Sequence, residues 1–121
     1  MSRYYLYNKE LIDKRYRKFK SLVNMSAEEM KQWKKDPCSK VASIKIKEVI
    51  TRVTRLLEKP KVTWTLRDYI DSGKVISYLS RATRIKDSIK PASRSKNCLK
   101  GKNYYALKNW AYDRLKEKKH K

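Results

Sequence analysis

The sequence predicts an all-α fold, a small single-domain helical bundle of four to five helices with a basic arm and tail. Glycine occurs twice and proline three times in 121 residues, which is too sparse for the frequent turns of an all-β chain. Between residues 46 and 57, apolar side chains recur at a spacing close to that of one helix face. A chain of this length supports one modest core.

The first two helices are predicted from apolar spacing and capping residues. Residues 8–23 form the first helix, with the asparagine at their start as N-cap. Residues 26–36 form the second, because Ser26 and Glu29 have the spacing of a capping box. This helix ends before Pro37, since the residue preceding a proline is pushed out of the α region.

Residues 41–58 carry the cleanest amphipathic stripe of the chain and form the third helix. They are rich in β-branched side chains, but their length and spacing favour a helix over a strand. Residues 65–84 form the fourth helix, where Thr65 and Asp68 repeat the capping-box spacing with aspartate in place of glutamate. Gly73 lies inside this helix and is a candidate kink.

The C-terminal third differs in composition. Residues 86–102 are polar and basic and include Pro91 and several serines, which is typical of a loop or arm. A last short helix is predicted over residues 104–115, with Leu115 on its apolar face, before a lysine-rich tail. We therefore divide the chain into a helical core domain, 1–85, and a second part, 86–121, that holds the arm, the short helix and the tail.

The predicted core consists of apolar residues on the inner faces of the first four helices. They are Phe19, Leu22, Trp33, Val49, Ile50, Val53, Leu57, Leu66, Tyr69, Ile76 and Leu79.

The dominant feature of the composition is charge. The chain has 33 Lys and Arg against 12 Asp and Glu, a formal net charge of +21. On one small domain this charge is strongly self-repulsive unless a polyanion is bound. A solubilising surface is the alternative, but such surfaces normally mix both signs. The composition favours a nucleic-acid partner, DNA in preference to RNA, bound with steep salt dependence and little dependence on base sequence.

The candidate nucleic-acid-binding residues are grouped along the chain. They are Lys14, Arg15, Arg17, Lys18 and Lys20 in the first helix; Arg81 and Arg84 at the end of the fourth; Lys86, Lys90, Arg94, Lys96, Lys100 and Lys102 in the arm; and Arg114, Lys116, Lys118 and Lys119 near the C-terminus. Tyr4, Tyr5 and Tyr7 offer a second interpretation, stacking on unpaired bases. We favour the simpler prediction that this N-terminal segment packs against the core.

The residue pattern does not indicate an enzyme. His120 is the only histidine and lies in the lysine-rich tail, where no neighbour orients it for nucleophilic catalysis. Two cysteines and one histidine fall short of a structural zinc site. Asp68 and Asp71 share a helix face and suggest a metal-dependent nuclease, but acidic residues near a helix N-terminus are expected as partners of the helix dipole. We expect no catalytic residue, metal or cofactor.

The chain is expected to be soluble and intracellular, in the cytoplasm or nucleoid, with the virion as an alternative. Its N-terminus leads into charged residues, which is unlike a secretory signal. No apolar run approaches the roughly 18 residues needed to span a bilayer. A membrane-surface partner is disfavoured, because the apolar faces of the basic helices are explained by the core. Cys38 and Cys98 lie far apart in the sequence, and we expect a reducing compartment.

The stretch from residue 19 to residue 84 resembles a family of small bacterial and phage proteins of unknown function, some of them labelled DNA-binding. The matching residues are Phe19, Leu22, Val23, Asn24, Met25, Ser26, Glu29, Trp33, Pro37, Ser39, Ile50, Leu57, Thr65, Asp68, Tyr69, Lys74, Val75, Ile76, Tyr78 and Arg81. This chain lacks the glycine-rich segment that such proteins carry near the position of Ile44, and it adds the basic arm and residues 107–110. The resemblance implies a shared helical fold and transfers no catalytic residue.

The sequence therefore predicts a sequence-nonspecific nucleic-acid-binding protein of a packaging or architectural kind, of viral or phage origin. Two alternatives share the same charge. One is a basic subunit of a ribonucleoprotein or virion assembly, and the other is an inhibitor that docks on an acidic protein partner.

Overall fold

A computed structural model describes residues 1–41, 46–86 and 98–117, and regular secondary structure within these ranges is entirely helical. The α-helices are α1 (Arg3–Tyr7), α2 (Lys9–Leu22), α3 (Ala27–Lys35), α4 (Ile46–Glu58), α5 (Leu66–Ala82) and α6 (Lys102–Lys108). Short 3-10 turns cover Pro37–Lys40, Lys61–Thr63 and Arg114–Lys116. The predicted all-α class is confirmed.

Both predicted capping boxes are present. At the start of α3, the Glu29 N–H donates to Ser26 Oγ and the Ser26 N–H donates to Glu29 Oε1, each at 3.1 Å. At the start of α5, the Asp68 N–H donates to Thr65 Oγ1 at 3.4 Å, and the Thr65 N–H donates to Asp68 Oδ2 at 3.0 Å. These reciprocal bonds satisfy backbone donors that have no partner inside a helix.

The predicted first helix is present as α2, and the short helix α1 that precedes it was not foreseen. Asn8 separates α1 from α2 and occupies the N-cap position of α2, but its side chain makes no capping bond. Its Nδ2 donates instead to the Tyr4 carbonyl at 3.2 Å. The third helix begins at Ile46 in the described residues, since 42–45 lie outside them.

Helix α6 ends earlier than predicted because the chain turns at Ala111, which has a φ of 68°. The Leu107 carbonyl accepts from the Tyr112 N–H at 3.0 Å, and the Lys108 carbonyl accepts from the Ala111 N–H at 3.1 Å. This is the hydrogen-bond pattern of a Schellman motif. Leu115, predicted to lie on the apolar face of the helix, is therefore 69% exposed.

Gly73 does not interrupt α5, which continues from Leu66–Ala82. A Cβ added at Gly73 would lie 2.3 Å from Nη1 of Arg15. A side chain at this position would displace the end of the Arg15 side chain from its place beside α5.

The core lies where α2 packs against α5 and where α4 packs against α3 and α5. The predicted core residues that are buried are Phe19, Trp33, Ile50, Val53 and Leu79, and those that are partly buried are Leu22, Val49, Leu57, Tyr69 and Ile76. Leu66 is a correction: it is 52% exposed, because it is the first residue of α5 and lies in an exposed stretch with Thr65 and Arg67.

The C-terminal part contributes to the same core. Tyr104, Tyr105 and Leu107 of α6 are buried with the side chains of the other helices. The indole Nε1 of Trp33 donates to Asn109 Oδ1 at 2.7 Å, deep in the molecule. Residues 98–117 therefore pack as part of the bundle.

A disulfide bears on the expected compartment. Cys38 and Cys98 form a disulfide with a Cα–Cα distance of 5.6 Å, although they are 60 residues apart in sequence. The expectation of a reducing compartment relied on that sequence separation and on the lack of a secretory signal, and the structure removes the first ground because the fold brings the two cysteines together. Among the helices of the described residues, none has both the length and the apolar content that crossing a membrane requires.

Candidate nucleic-acid interface

One face of α2 carries a row of exposed cations, which we call the α2 basic stripe: Lys14, Arg17, Lys18 and Lys20. Ile12 and Phe19 on the opposite side of the helix have no exposed surface, so the core fixes the direction in which the stripe points. Within the described part of the chain, no carboxylate forms an ion pair with any member of the stripe.

Arg15 is also on α2, but the structure places it between helices. Its Nη1 donates to the Tyr69 carbonyl at 2.8 Å, and its guanidinium lies 3.9 Å from the centre of the Tyr69 ring. With these contacts and Gly73 beside it, Arg15 joins α2 to α5. Among the predicted α2 contacts, Arg15 is therefore the one already engaged by the fold.

The two aspartates considered as metal ligands are occupied by cations. Asp71 has no exposed surface and is close to three arginines: Arg55 at 2.8 Å, Arg67 at 3.4 Å and Arg52 at 4.0 Å. Asp68 pairs with Arg55 at 3.3 Å and with Lys59. Among the described residues, no three potential metal ligands converge on one point. The two aspartates offset part of the positive charge of the four cations at the α4–α5 interface.

The surroundings of Asp68 predict that the stability of the fold depends on pH. Burial alone would raise the pKa of Asp68, but hydrogen bonds from Lys59 and from the Thr65 N–H outweigh it, so the net pKa is lowered. A lowered carboxyl pKa contributes stability that is present above the unfolded value, about 4, and is lost as pH falls through the folded value. Urea unfolding at pH 6 and at pH 3 measures the free energy of unfolding at each pH. Between pH 6 and pH 3 this free energy should fall less for Asp68→Asn than for the wild type. Equal differences would contradict this assignment.

A shallow depression lies along the outer side of α5, and we call it the α5 groove. It is lined by Ile70, Gly73, Lys74, Ser77, Tyr78, Arg81 and Trp110. The rings of Tyr78 and Trp110 stack with centroids 4.7 Å apart and planes inclined by 21°. Burial raises the pKa of Tyr78, so the phenol stays neutral at physiological pH. The groove combines aromatic surface with two cations.

The cations beyond α5 divide into exposed and engaged groups. Arg84, Lys86, Lys100 and Lys102 are exposed. Arg114 donates from Nη2 to the carbonyls of Ala82 at 3.2 Å and Thr83 at 3.4 Å, and so caps the end of α5. Lys116 pairs with Glu29, which lowers the pKa of that carboxyl mainly through the hydrogen bond from Lys116.

Five predicted contacts lie outside the described residues. They are Lys90, Arg94, Lys96, Lys118 and Lys119.

Sequence reasoning missed the α5 groove. Lys74, Tyr78 and Arg81 repeat at helical spacing on α5, and this signal was available, but Trp110 reaches the groove from the turn after α6. It also missed another depression, which contains four lysines together with two acidic residues. This depression is lined by Glu28, Lys31, Gln32, Lys34, Lys35, Asp36, Pro37 and Lys40.

The N-terminal tyrosines follow the simpler prediction in part. Tyr5 is 4% exposed, and the Tyr4 ring lies 6.0 Å from that of Tyr69. Tyr7 is 84% exposed, and the segment as a whole is held by a hydrogen bond from the Ser2 N–H to the Val62 carbonyl at 2.8 Å.

Comparisons with models of protein families, with curated proteins and with solved structures found no match to this chain. The resemblance to small bacterial and phage proteins therefore stays a prediction.

Proposed function

We propose that the protein binds nucleic acid through the phosphate backbone, with little dependence on base sequence, in a packaging or architectural role. The observation that carries this proposal is the α2 basic stripe, which is exposed and has no carboxylate partner among the described residues. Unpaired surface cations are what a phosphate backbone neutralises, and the release of its counterions drives binding.

The distribution of the acidic residues supports this proposal. Asp68 and Asp71 are buried against cations of α4 and α5, while Asp13, Glu29 and Glu58 pair with Lys61, Lys116 and Lys31. On α2 itself, Asp13 pairs with Lys61, and the exposed Glu10 lies one turn before Lys14. The chain keeps a large excess of positive charge, 33 Lys and Arg against 12 Asp and Glu, and such a charge attracts a polyanion from solution.

The test is to remove three charges from the stripe with Lys14→Gln, Arg17→Gln and Lys18→Gln in one variant. Each lost phosphate contact should reduce the slope of log affinity against log salt by about 0.9 on duplex DNA. We expect a slope lower by 2 to 3, on the order of those three contacts, and affinity weaker by on the order of a hundredfold near 0.1 M salt. Fluorescence anisotropy over a salt series measures both.

A matched control removes the same net charge from cations that already have carboxylate partners, with Lys31→Gln, Lys61→Gln and Lys116→Gln. The control should keep most of the wild-type slope. Equal losses in both variants would show that net charge alone matters and would overturn the assignment to α2. Failure of the wild type to bind any nucleic acid at low salt would overturn the proposed function.

The same titrations separate the alternatives. Selectivity for structured RNA over DNA of equal charge would favour a ribonucleoprotein subunit. A stoichiometric complex with an acidic protein that survives nuclease treatment would favour the inhibitor.

A further inference from the structure

We propose that the α5 groove is a subsite for an unpaired nucleobase of a single strand, stacked on the outer side of the Tyr78–Trp110 ring pair, with the neighbouring phosphates of the strand held by Lys74 and Arg81. This inference rests on the proposed function and deepens it, because it names single-stranded nucleic acid as the class that the groove selects. Every base has a planar face, so stacking on aromatic side chains tolerates any base sequence.

The aromatic surface is accessible to a ligand. Tyr78 and Trp110 both line the groove and both are only partly buried. Ile70 at one end is 45% exposed and adds apolar surface. Neither the Tyr78 hydroxyl nor the Trp110 Nε1 has a hydrogen-bond partner in the part of the chain that the structure describes. Both groups are free to bond to a base edge or a phosphate.

The Tyr78–Trp110 ring pair is held in place before any ligand binds. Tyr78 lies within the 17-residue helix α5. The backbone N–H of Trp110 donates to the Leu107 carbonyl at 2.9 Å. The carbonyl of Ala111, the residue after Trp110, accepts from the backbone N–H groups of Asn24 at 2.9 Å and Met25 at 3.2 Å. Side chains that are already ordered lose little entropy on binding, and this favours affinity.

The charges flank the aromatic pair. Lys74 and Arg81 are seven positions apart on α5, which corresponds to about 10 Å along a helix axis, with Tyr78 between them. Within the described ranges no carboxylate pairs with either cation. The Arg81 Nε donates to the Ser77 carbonyl at 3.2 Å, which holds the guanidinium beside the groove.

An unpaired strand fits this arrangement better than a duplex does. In a duplex the base faces are covered by their neighbours, so only the phosphates reach a protein surface of this shape. A single strand presents both base faces and phosphates, which matches the combination of stacked rings and cations.

The experiment compares Trp110→Leu with Trp110→Phe, which keeps an aromatic face. The probes are oligo(dT), oligo(U) and duplex DNA of equal length at low salt. Trp110→Leu should weaken binding of the single strands about tenfold, in line with the loss of one stacked base, and should leave duplex binding within about twofold. Trp110→Phe should bind the single strands nearly as tightly as the wild type, because phenylalanine keeps an aromatic face. The two single-stranded probes show whether the strand is DNA or RNA.

Tryptophan fluorescence provides an independent readout. Trp33 and Trp64 are 4% and 0% exposed, so quenching by a stacked base should come from Trp110 and should disappear in Trp110→Leu. A second variant, Lys74→Gln with Arg81→Gln, changes only exposed side chains and should also weaken single-strand binding.

The outcomes distinguish the two proposals. Wild type that binds neither single strand nor duplex overturns the proposed function and this subsite together. Wild type that binds both, with equal losses on duplex and single strand in Trp110→Leu or with quenching that persists in that variant, overturns the subsite alone.

Discussion

Replacing Cys38 and Cys98 together with alanine should lower the free energy of unfolding by about 4 kcal/mol. The disulfide joins residues 60 positions apart, and a crosslink across a loop of this length restricts the unfolded chain by about that amount. It also links the turn after α3 to the segment before α6, so its loss should loosen the attachment of α6 to the bundle. Guanidinium unfolding of the oxidised wild type and of the double variant measures the difference.

Two controls isolate the crosslink from the change in side-chain volume. Reduction of the wild type should reproduce most of the loss, and the same reductant should leave the double variant unchanged. Peptide mapping of the oxidised protein should recover the Cys38–Cys98 pair. Equal stability of oxidised and reduced wild type would show that the bond does not constrain the unfolded chain.

The second large effect is expected at Asp71, where asparagine should lower the free energy of unfolding by about 3 kcal/mol. Its carboxylate is fully buried among Arg52, Arg55 and Arg67, and removing one member of a buried ionic cluster leaves its partners uncompensated. The arginines are themselves partly exposed, which places the loss at the lower end of the range for buried pairs. Thermal and chemical unfolding both report it.

The matched control for Asp71 is Glu58→Gln, which breaks the ion pair with Lys31. Both side chains there are about half exposed, at 48% and 50%, and exposed pairs contribute about 0.5 kcal/mol or less. A loss at Asp71 no greater than the loss at Glu58 would refute the view that the buried cluster holds α4 against α5.

The fold class and the starts of α2, α3 and α5 were predictable because their signals are local. The capping boxes at Ser26 and at Thr65 require only residues three positions apart, and proline ends a helix through a clash with its immediate neighbour. The stripe of α4 recurs within a few turns. Such features are decided within about ten residues of chain and need no knowledge of the rest of the molecule.

The end of α6 and the full core were not predictable in this way. Ala111 adopts a positive φ that its residue type does not indicate, and its carbonyl meets residues near position 24. Trp64, Tyr104 and Leu107 are buried because distant helices cover them. Residues 86–121 are basic in overall composition, and this average does not reveal their few apolar residues. Through such residues the described part of this segment, 98–117, packs into the bundle.

For the candidate interface, composition determined that the surface is basic, since 33 cations cannot be neutralised by 12 carboxylates. Which cations stay free was decided by packing. Arg15 and Arg114 are held by backbone carbonyls of α5 and the turn after it, whereas Lys14 and Lys18 have no such contact. Packing also brings Trp110 to Tyr78, from which it is separated by 32 positions of sequence. Net charge is a sum over residues, but the pairing of each charge depends on which segments the hydrophobic core brings together.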